Sequence, residues 1–445
     1  MSWTIIYIID LSAIGLFLVS YYRNCYRKGY RVDFWHAQLM LYCVIPNMLM
    51  LAPSTSRLNI VIVGSDFSRI IAVLPEIFLI TIVGYLSILA GGSLWRLRLG
   101  IGVRSTTARM LNVIPRCSMM LMSSRSILIF QAFICVLLQV LILGIYFAHN
   151  GFGFDLREYT FANPSLRPVA LFVSGYSIII GSHCFARYVE TKEKVCLATT
   201  LMLTFGLVFF GARSNILFIY MNVLLCYLVQ LRAKISLLRI TVIISIIVVG
   251  GLYLGSVRAG DYSLGAFFEL LGAALLYGNT FSDLRDFAWV YALWNHQFWL
   301  GKTYLAAITA FVPRFASEFR DTWGLGVATA KTLGFDPHVH PGVRPGAFGE
   351  GFFNFGIIGV VGIGIILGIL IRRVDVDVKV ALSGQHPSIM EAFASSMLLS
   401  IAGAISISSS FSGIYVLLLV YVFSWFCLAV QRLVGIRRVV SINAD

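Results

Sequence analysis

The sequence predicts an all-α polytopic membrane protein of about eleven transmembrane helices, with one large extracytoplasmic loop carrying short interfacial helices. Three observations predict it. Hydrophobic residues make up 59% of the 445 and charged residues only 12%, against about twice that charge in soluble chains; mean hydropathy is +0.86. Apolar runs long enough to cross about 30 Å of hydrocarbon recur along the chain. Lysine and arginine gather in alternate connections between those runs.

The runs fall near Trp3 to Tyr22, His36 to Ser54, Ser68 to Gly92, Ser126 to Ala148, Pro168 to Phe185 and Cys196 to Phe210. They continue at Ser214 to Leu231, Arg239 to Ser256, Phe352 to Ile371, Ile389 to Ser406 and Phe411 to Val430. The first lacks a small-residue cleavage site and reads as a retained span. Basic clusters at Arg23 to Arg31, Arg96 to Arg125, Arg187 to Lys194, Arg232 to Arg239 and Arg372 to Lys379, with the tail from Arg432, all fall on one side of an eleven-span chain. Positive charge makes that side cytoplasmic, so the amino terminus is expected in the periplasm and the carboxyl terminus in the cytoplasm. No repeat or linker marks a second soluble domain, and residues 1–445 read as a single integral membrane domain.

The net charge of +14 belongs to these connections rather than to a nucleic-acid surface. Eight cysteines lie in or beside apolar segments with no Cys-x-x-Cys pair, so no disulfide framework is expected. Gly356, Gly359, Gly362, Gly364 and Gly368 follow no strand; close helix packing explains them better than a nucleotide loop does.

Residues 256–350 break the apolar pattern and form the expected periplasmic loop, far longer than a mere connection. The loop holds Trp289, Trp294, Trp299 and Trp323, aromatic side chains suited to a membrane–water interface. Leu264 to Tyr277 and Leu284 to Leu300 have helix-length apolar content but are too short to span, so they are expected along that interface. The loop ends in a Pro/Gly-rich run from His338 to Glu350 that is not expected to be regular helix.

Several residues are candidates for chemistry. Arg213, in Gly211-Ala212-Arg213-Ser214-Asn215, puts a permanent cation at a membrane edge, where it either grips a phosphate or snorkels to water. Arg258, Arg285, Arg314 and Arg344 are further cations of the loop. Asp283 and Asp286 suit the amino end of a helix, with Asp283 as its cap, and Asp283 is also a candidate proton acceptor. His338 and His340 share one face of an extended segment, but no third ligand stands at a zinc spacing and no Asp-x-Asp occurs in the loop, so neither metal nor cofactor is expected. Glu350, between Gly349 and Gly351, is expected at the membrane surface, where partial desolvation would lift its pKa toward that of a general base; a carboxylate at a helix amino end is the other reading.

With these residues in view, the chain resembles the bacterial O-antigen polymerase (Wzy) family. The resemblance rests on the eleven-span hydropathy, the Gly-Ala-Arg-Ser-Asn turn, Gly278 to Asp283, Gly301 to Arg314, and above all Phe348-Gly349-Glu350-Gly351-Phe352-Phe353-Asn354-Phe355-Gly356. O-antigen ligases look similar at Arg213, and at Arg285 followed by Trp289. The histidine they place eleven positions before a Gly-x-x-Gly is Pro345 here.

The resemblance implies a C-type glycosyltransferase of the bacterial inner membrane, metal-independent, cofactor-free and inverting. It would polymerise undecaprenyl-pyrophosphate-linked oligosaccharide repeat units on the periplasmic face. On this reading Arg213 holds the diphosphate with Arg258 or Arg285, and Arg314 and Arg344 stand behind them. Glu350 is the base, with Asp283 or His338 behind it. The implied partners are the lipid-linked donor and acceptor, a polysaccharide chain-length regulator and a flippase. The alternatives are a ligase that transfers glycan to lipid A core, and a lipid-linked oligosaccharide transporter. Charge gathered in a loop rather than along mid-membrane helices weighs against transport.

Overall fold

A backbone in hydrocarbon can satisfy its polar groups only from within, and a helix does so without a neighbour. In the computed structural model the apolar runs are accordingly helices wherever they are described. The structure describes the chain apart from residues 1–2, 48–49, 51–65, 97–110, 152–155, 157–158, 161–162, 164, 211–212, 259–264, 266–281, 313–315, 338–339, 341 and 443–445, and apart from the side chains of 96, 213–215, 247–248, 251–258 and 434–442.

In order, the helices are α1 Trp3–Asn24, α2 Phe34–Leu39, which a π-helical stretch Met40–Val44 and a short helical turn Ile45–Asn47 continue, α3 Phe67–Arg96, α4 Val113–Ser123, α5 Arg125–Asn150, α6 Leu166–Thr191, α7 Lys194–Phe209, α8 Arg213–Leu231 and α9 Leu237–Arg258. There follow α10 Asp283–Leu293, α11 Lys302–Ile308, α12 Glu318–Trp323, α13 Leu325–Thr332, α14 Gly346–Ala381, α15 Ile389–Ser396, α16 Leu398–Ser406 and α17 Ser412–Ile442. No strand occurs among the described residues. Eight helical stretches among them are long and apolar enough to cross a membrane, and Lys194–Phe209 and Leu237–Ile246 are apolar but shorter. The chain is an all-α polytopic membrane protein.

The chain divides into two compact units. One comprises Met1–Ser105, Leu231–Val376 and Leu399–Ser412. Here α3 and α14 approach through their glycines. A methyl group at Gly364 would run into Ser87 and the Gly84 carbonyl, one at Gly368 into the Ile88 carbonyl, and one at Gly91 into Ile365. Small residues let the two backbones close up, the role expected for this stripe. Gly362 faces open space, and Gly356 breaks the helix, with φ 63° and ψ −151°. Asp10 of α1 is fully buried, neither carboxylate oxygen has a hydrogen-bond partner, and the residue lines a small cavity with Cys43, Asn47 and Tyr85.

Three expectations for the loop change. The helix begun near Leu284 stops at Leu293, not Leu300, and is buried from Leu284 to Val290. Trp289, Trp294 and Trp299 are core residues rather than an interfacial belt: Trp289 packs on Phe335, Trp294 on Phe352 and Phe353, and Trp299 on Phe353. The Pro/Gly-rich run becomes helical at Gly346, six residues before Phe352. Leu264 to Tyr277 lies outside the described residues except for Gly265.

The other unit comprises Thr106–Gln230, Asp377–Leu398 and Gly413–Asp445. Tyr146, Leu156, Val173, Phe209 and Phe210 form an apolar cluster in it. Its buried amides are paired between helices: the Tyr176 hydroxyl donates to Gln131 Oε1 at 2.7 Å, and Gln139 Nε2 donates to Ser177 Oγ at 2.8 Å. Polar side chains inside hydrocarbon need such partners.

Candidate functional site

The described loop residues converge where α10 starts and where α14 starts. Acidic residues favour a helix amino end, and α10 opens on Asp283 with Asp286 one turn on. The cap position is Ser282, not Asp283 as the sequence suggests. Ser282 makes no capping bond to backbone; its hydroxyl donates to Asp286 Oδ2 at 2.8 Å. Arg285 donates from Nε and Nη2 to Asp286 Oδ1 at 3.0 and 2.8 Å, and both residues are buried. The Arg344 backbone N–H also donates to Asp286. Burial holds the Asp286 carboxyl above its ordinary range, against the pull of Arg285.

Asp283 turns elsewhere. Gly346 sits in the left-handed region at φ +69°, and a side chain there would strike the Asp283 carboxylate, so glycine leaves room for it. Asp283 lines a cavity with Tyr42, Asn47, Thr81, Gly346 and Phe348. The cavity volume is about 20 Å³, enough for one water or one hydroxyl and far too small for a sugar ring. Burial pushes the Asp283 carboxyl up to about 6, the Asp286 charge adds to the rise, and the Arg344 guanidinium opposes it. Arg344 itself is exposed.

Glu350 occupies a different environment from the membrane surface expected for it. It is fully buried, and both oxygens accept hydrogen bonds, Oε1 from the Thr303 hydroxyl at 2.7 Å and Oε2 from the Ser408 N–H at 2.8 Å. Asn354 Nδ2 completes the knot, donating to Thr303 Oγ1 at 2.8 Å and to the Glu350 carbonyl at 2.9 Å. The break at Gly356 strips the carbonyls of Phe353 and Asn354 of their helical partners. The N–H groups of Trp299 and Leu300 take them, at 2.8 and 3.1 Å. To reach them, the chain passes through left-handed conformations at Leu300 and Gly301.

The structure thus brings Asp283, Arg285 and Arg344 together and sets Glu350 in a separate knot. Arg213 opens α8 in the other unit and Arg258 ends α9, but their side chains lie outside the described residues. Arg314 and His338 lie wholly outside them. His340 packs on Phe335 at 4.4 Å between ring centroids and accepts the Gly342 N–H at Nδ1, 3.0 Å away. Sequence reasoning missed Thr303, Asn354 and Ser408. Only the Asn354 position within the Gly351-to-Gly356 run gave a hint, since nothing local ties Thr303 or Ser408 to Glu350. No family model matches the chain, and neither curated proteins nor solved structures show a significant similarity to it.

Proposed function

We propose that this chain is a glycosyltransferase that joins lipid-pyrophosphate-linked oligosaccharide repeat units into a surface polysaccharide of the O-antigen kind. It would work from the bacterial inner membrane with about eleven spans, its amino terminus and large loop in the periplasm. The observation that carries the reading is Asp283: a carboxyl lifted to about 6, beside a hydroxyl-sized cavity, with the exposed Arg344 close by.

A carboxylate with a pKa nearer neutrality is a better general base than an ordinary aspartate. The acceptor sugar hydroxyl gives its proton to Asp283 as its oxygen bonds to the anomeric carbon of the donor. The bond from that carbon to the diphosphate oxygen breaks, and its electron pair leaves with the polyprenyl diphosphate. Pyrophosphate leaves readily, so the protein's task is to meet the growing negative charge, and Arg344 is suited to it. Arg285 is already committed to Asp286, which makes it a support for Asp283 rather than a clamp. Arg213, Arg258 and Arg314 remain diphosphate candidates on sequence grounds, and Glu350 and His338 follow Asp283 as bases.

The test is chain growth by the purified full-length protein on its lipid-pyrophosphate repeat unit, in the presence of a chelator. Asp283→Asn and Arg344→Ala at wild-type protein levels should each stop the ladder. Normal ladders from Asp283→Asn would sink the assignment. Transfer to lipid A core in place of chain growth would select the ligase alternative.

A further inference from the structure

We infer that Cys25, Asp33 and His36 form a metal site of the zinc class in the connection after α1, independent of the reaction proposed above. One ligand-capable atom from each of the three lies within 4.8 Å of those of the other two, and all three residues are buried. A soft thiolate, an imidazole nitrogen and a carboxylate oxygen form a donor set that favours Zn²⁺ over Mg²⁺ or Ca²⁺. Zinc's two positive charges are matched by the Cys25 thiolate and the Asp33 carboxylate, so the loaded site is formally neutral and suits burial.

The local fold prepares this arrangement. After α1 the chain turns at Gly29, φ 81°, and the Cys25 carbonyl accepts the N–H groups of Lys28 and Tyr30, both at 3.1 Å. This fixes Cys25 opposite Asp33, which caps α2 by accepting the His36 N–H at 2.8 Å. His36 Nδ1 lies 2.8 Å from Asp33 Oδ1, and its ring is held edge-on by Phe17 and Tyr21.

The other ring nitrogen, Nε2, lies 3.2 Å from Ser20 Oγ, the outer partner that a metal-bound histidine uses to fix its tautomer. On uptake His36 moves its ring proton from Nδ1 to Nε2, where Ser20 accepts it, and Nδ1 turns to the ion. Cys25 releases its thiol proton to solvent, so one proton leaves per metal ion. Water completes the four-coordinate shell.

The full-length protein, purified in detergent, equilibrated with Zn²⁺ and desalted, should retain about one zinc per chain by elemental analysis. Cys25→Ser and His36→Gln should each fall to background, while Cys43→Ser, at a buried thiol elsewhere, should keep the metal. Should the variants not fold, Co²⁺ added to the wild-type protein should produce thiolate-to-cobalt absorption that Zn²⁺ abolishes. No retained zinc, zinc retained equally by Cys25→Ser, or no such absorption would overturn the assignment.

Discussion

The Thr303 hydroxyl donates a 2.7 Å hydrogen bond to Glu350 across 47 residues of chain, and the Ser408 N–H closes the other carboxylate oxygen. Glu350 is therefore a cross-link between the start of α14 and two distant segments. Glu350→Ala should cost about 1–3 kcal/mol for each donor left unpaired, read as a lower Tm in detergent. Glu350→Gln keeps one acceptor and should lose less. Loss of chain growth in Glu350→Gln at unchanged Tm would instead return the residue to the role of base.

Arg285 and Asp286 form a buried ion pair. Removing one member strands the other charge, so Arg285→Ala should destabilise by about 3–5 kcal/mol. The double replacement Arg285→Ala with Asp286→Ala should cost clearly less than the two single losses added together. Denaturant or thermal unfolding of the four proteins measures that coupling.

Asp283 has a folded-state pKa near 6 against an ordinary 3.8. Raised in this direction, it contributes stability that is full below about pH 4 and lost as pH rises through about 6. Asp283→Asn should then be more stable than wild type at about pH 8, by up to about 3 kcal/mol, with the gap closing toward about pH 4. Chain growth by the wild-type protein should decline as pH falls below that same pKa, because the base is then protonated.

Gly356 breaks α14 in a conformation open almost only to glycine. Gly356→Ala should cost about 1–3 kcal/mol through backbone strain. Gly362→Ala, which meets open space, tests the contrast: it should leave Tm nearly unchanged.

Asp10 lies unpartnered inside α1. A buried polar group without hydrogen bonds is costly, so Asp10→Leu should hold or raise Tm. A large fall in Tm or in chain growth would mark the carboxylate as functional.

The membrane class and the positions of the eight long apolar helices among the described residues were readable from the chain alone. Hydropathy sums over neighbours in sequence, and a helix in lipid satisfies its backbone within one segment. The same holds for the stripe at Gly364 and Gly368, where residue size at helical spacing announces a close approach. The loop was less legible. Its tryptophans carried the composition of an interface, yet Trp289 is buried against Phe335, and Trp294 and Trp299 against Phe353.

Only tertiary structure decided which carboxylate faces a cavity and which is sealed. Asp283 and Glu350 look alike in sequence, each an acid beside a helix start. One borders a hydroxyl-sized space, and the other is tied by Thr303 and Ser408. Tertiary structure likewise turned Arg285 inward to Asp286 and left Arg344 exposed. The physical reason is range. Helix formation and membrane insertion depend on contiguous residues, whereas desolvation and charge pairing depend on whichever distant side chains the packed fold brings within a few ångströms.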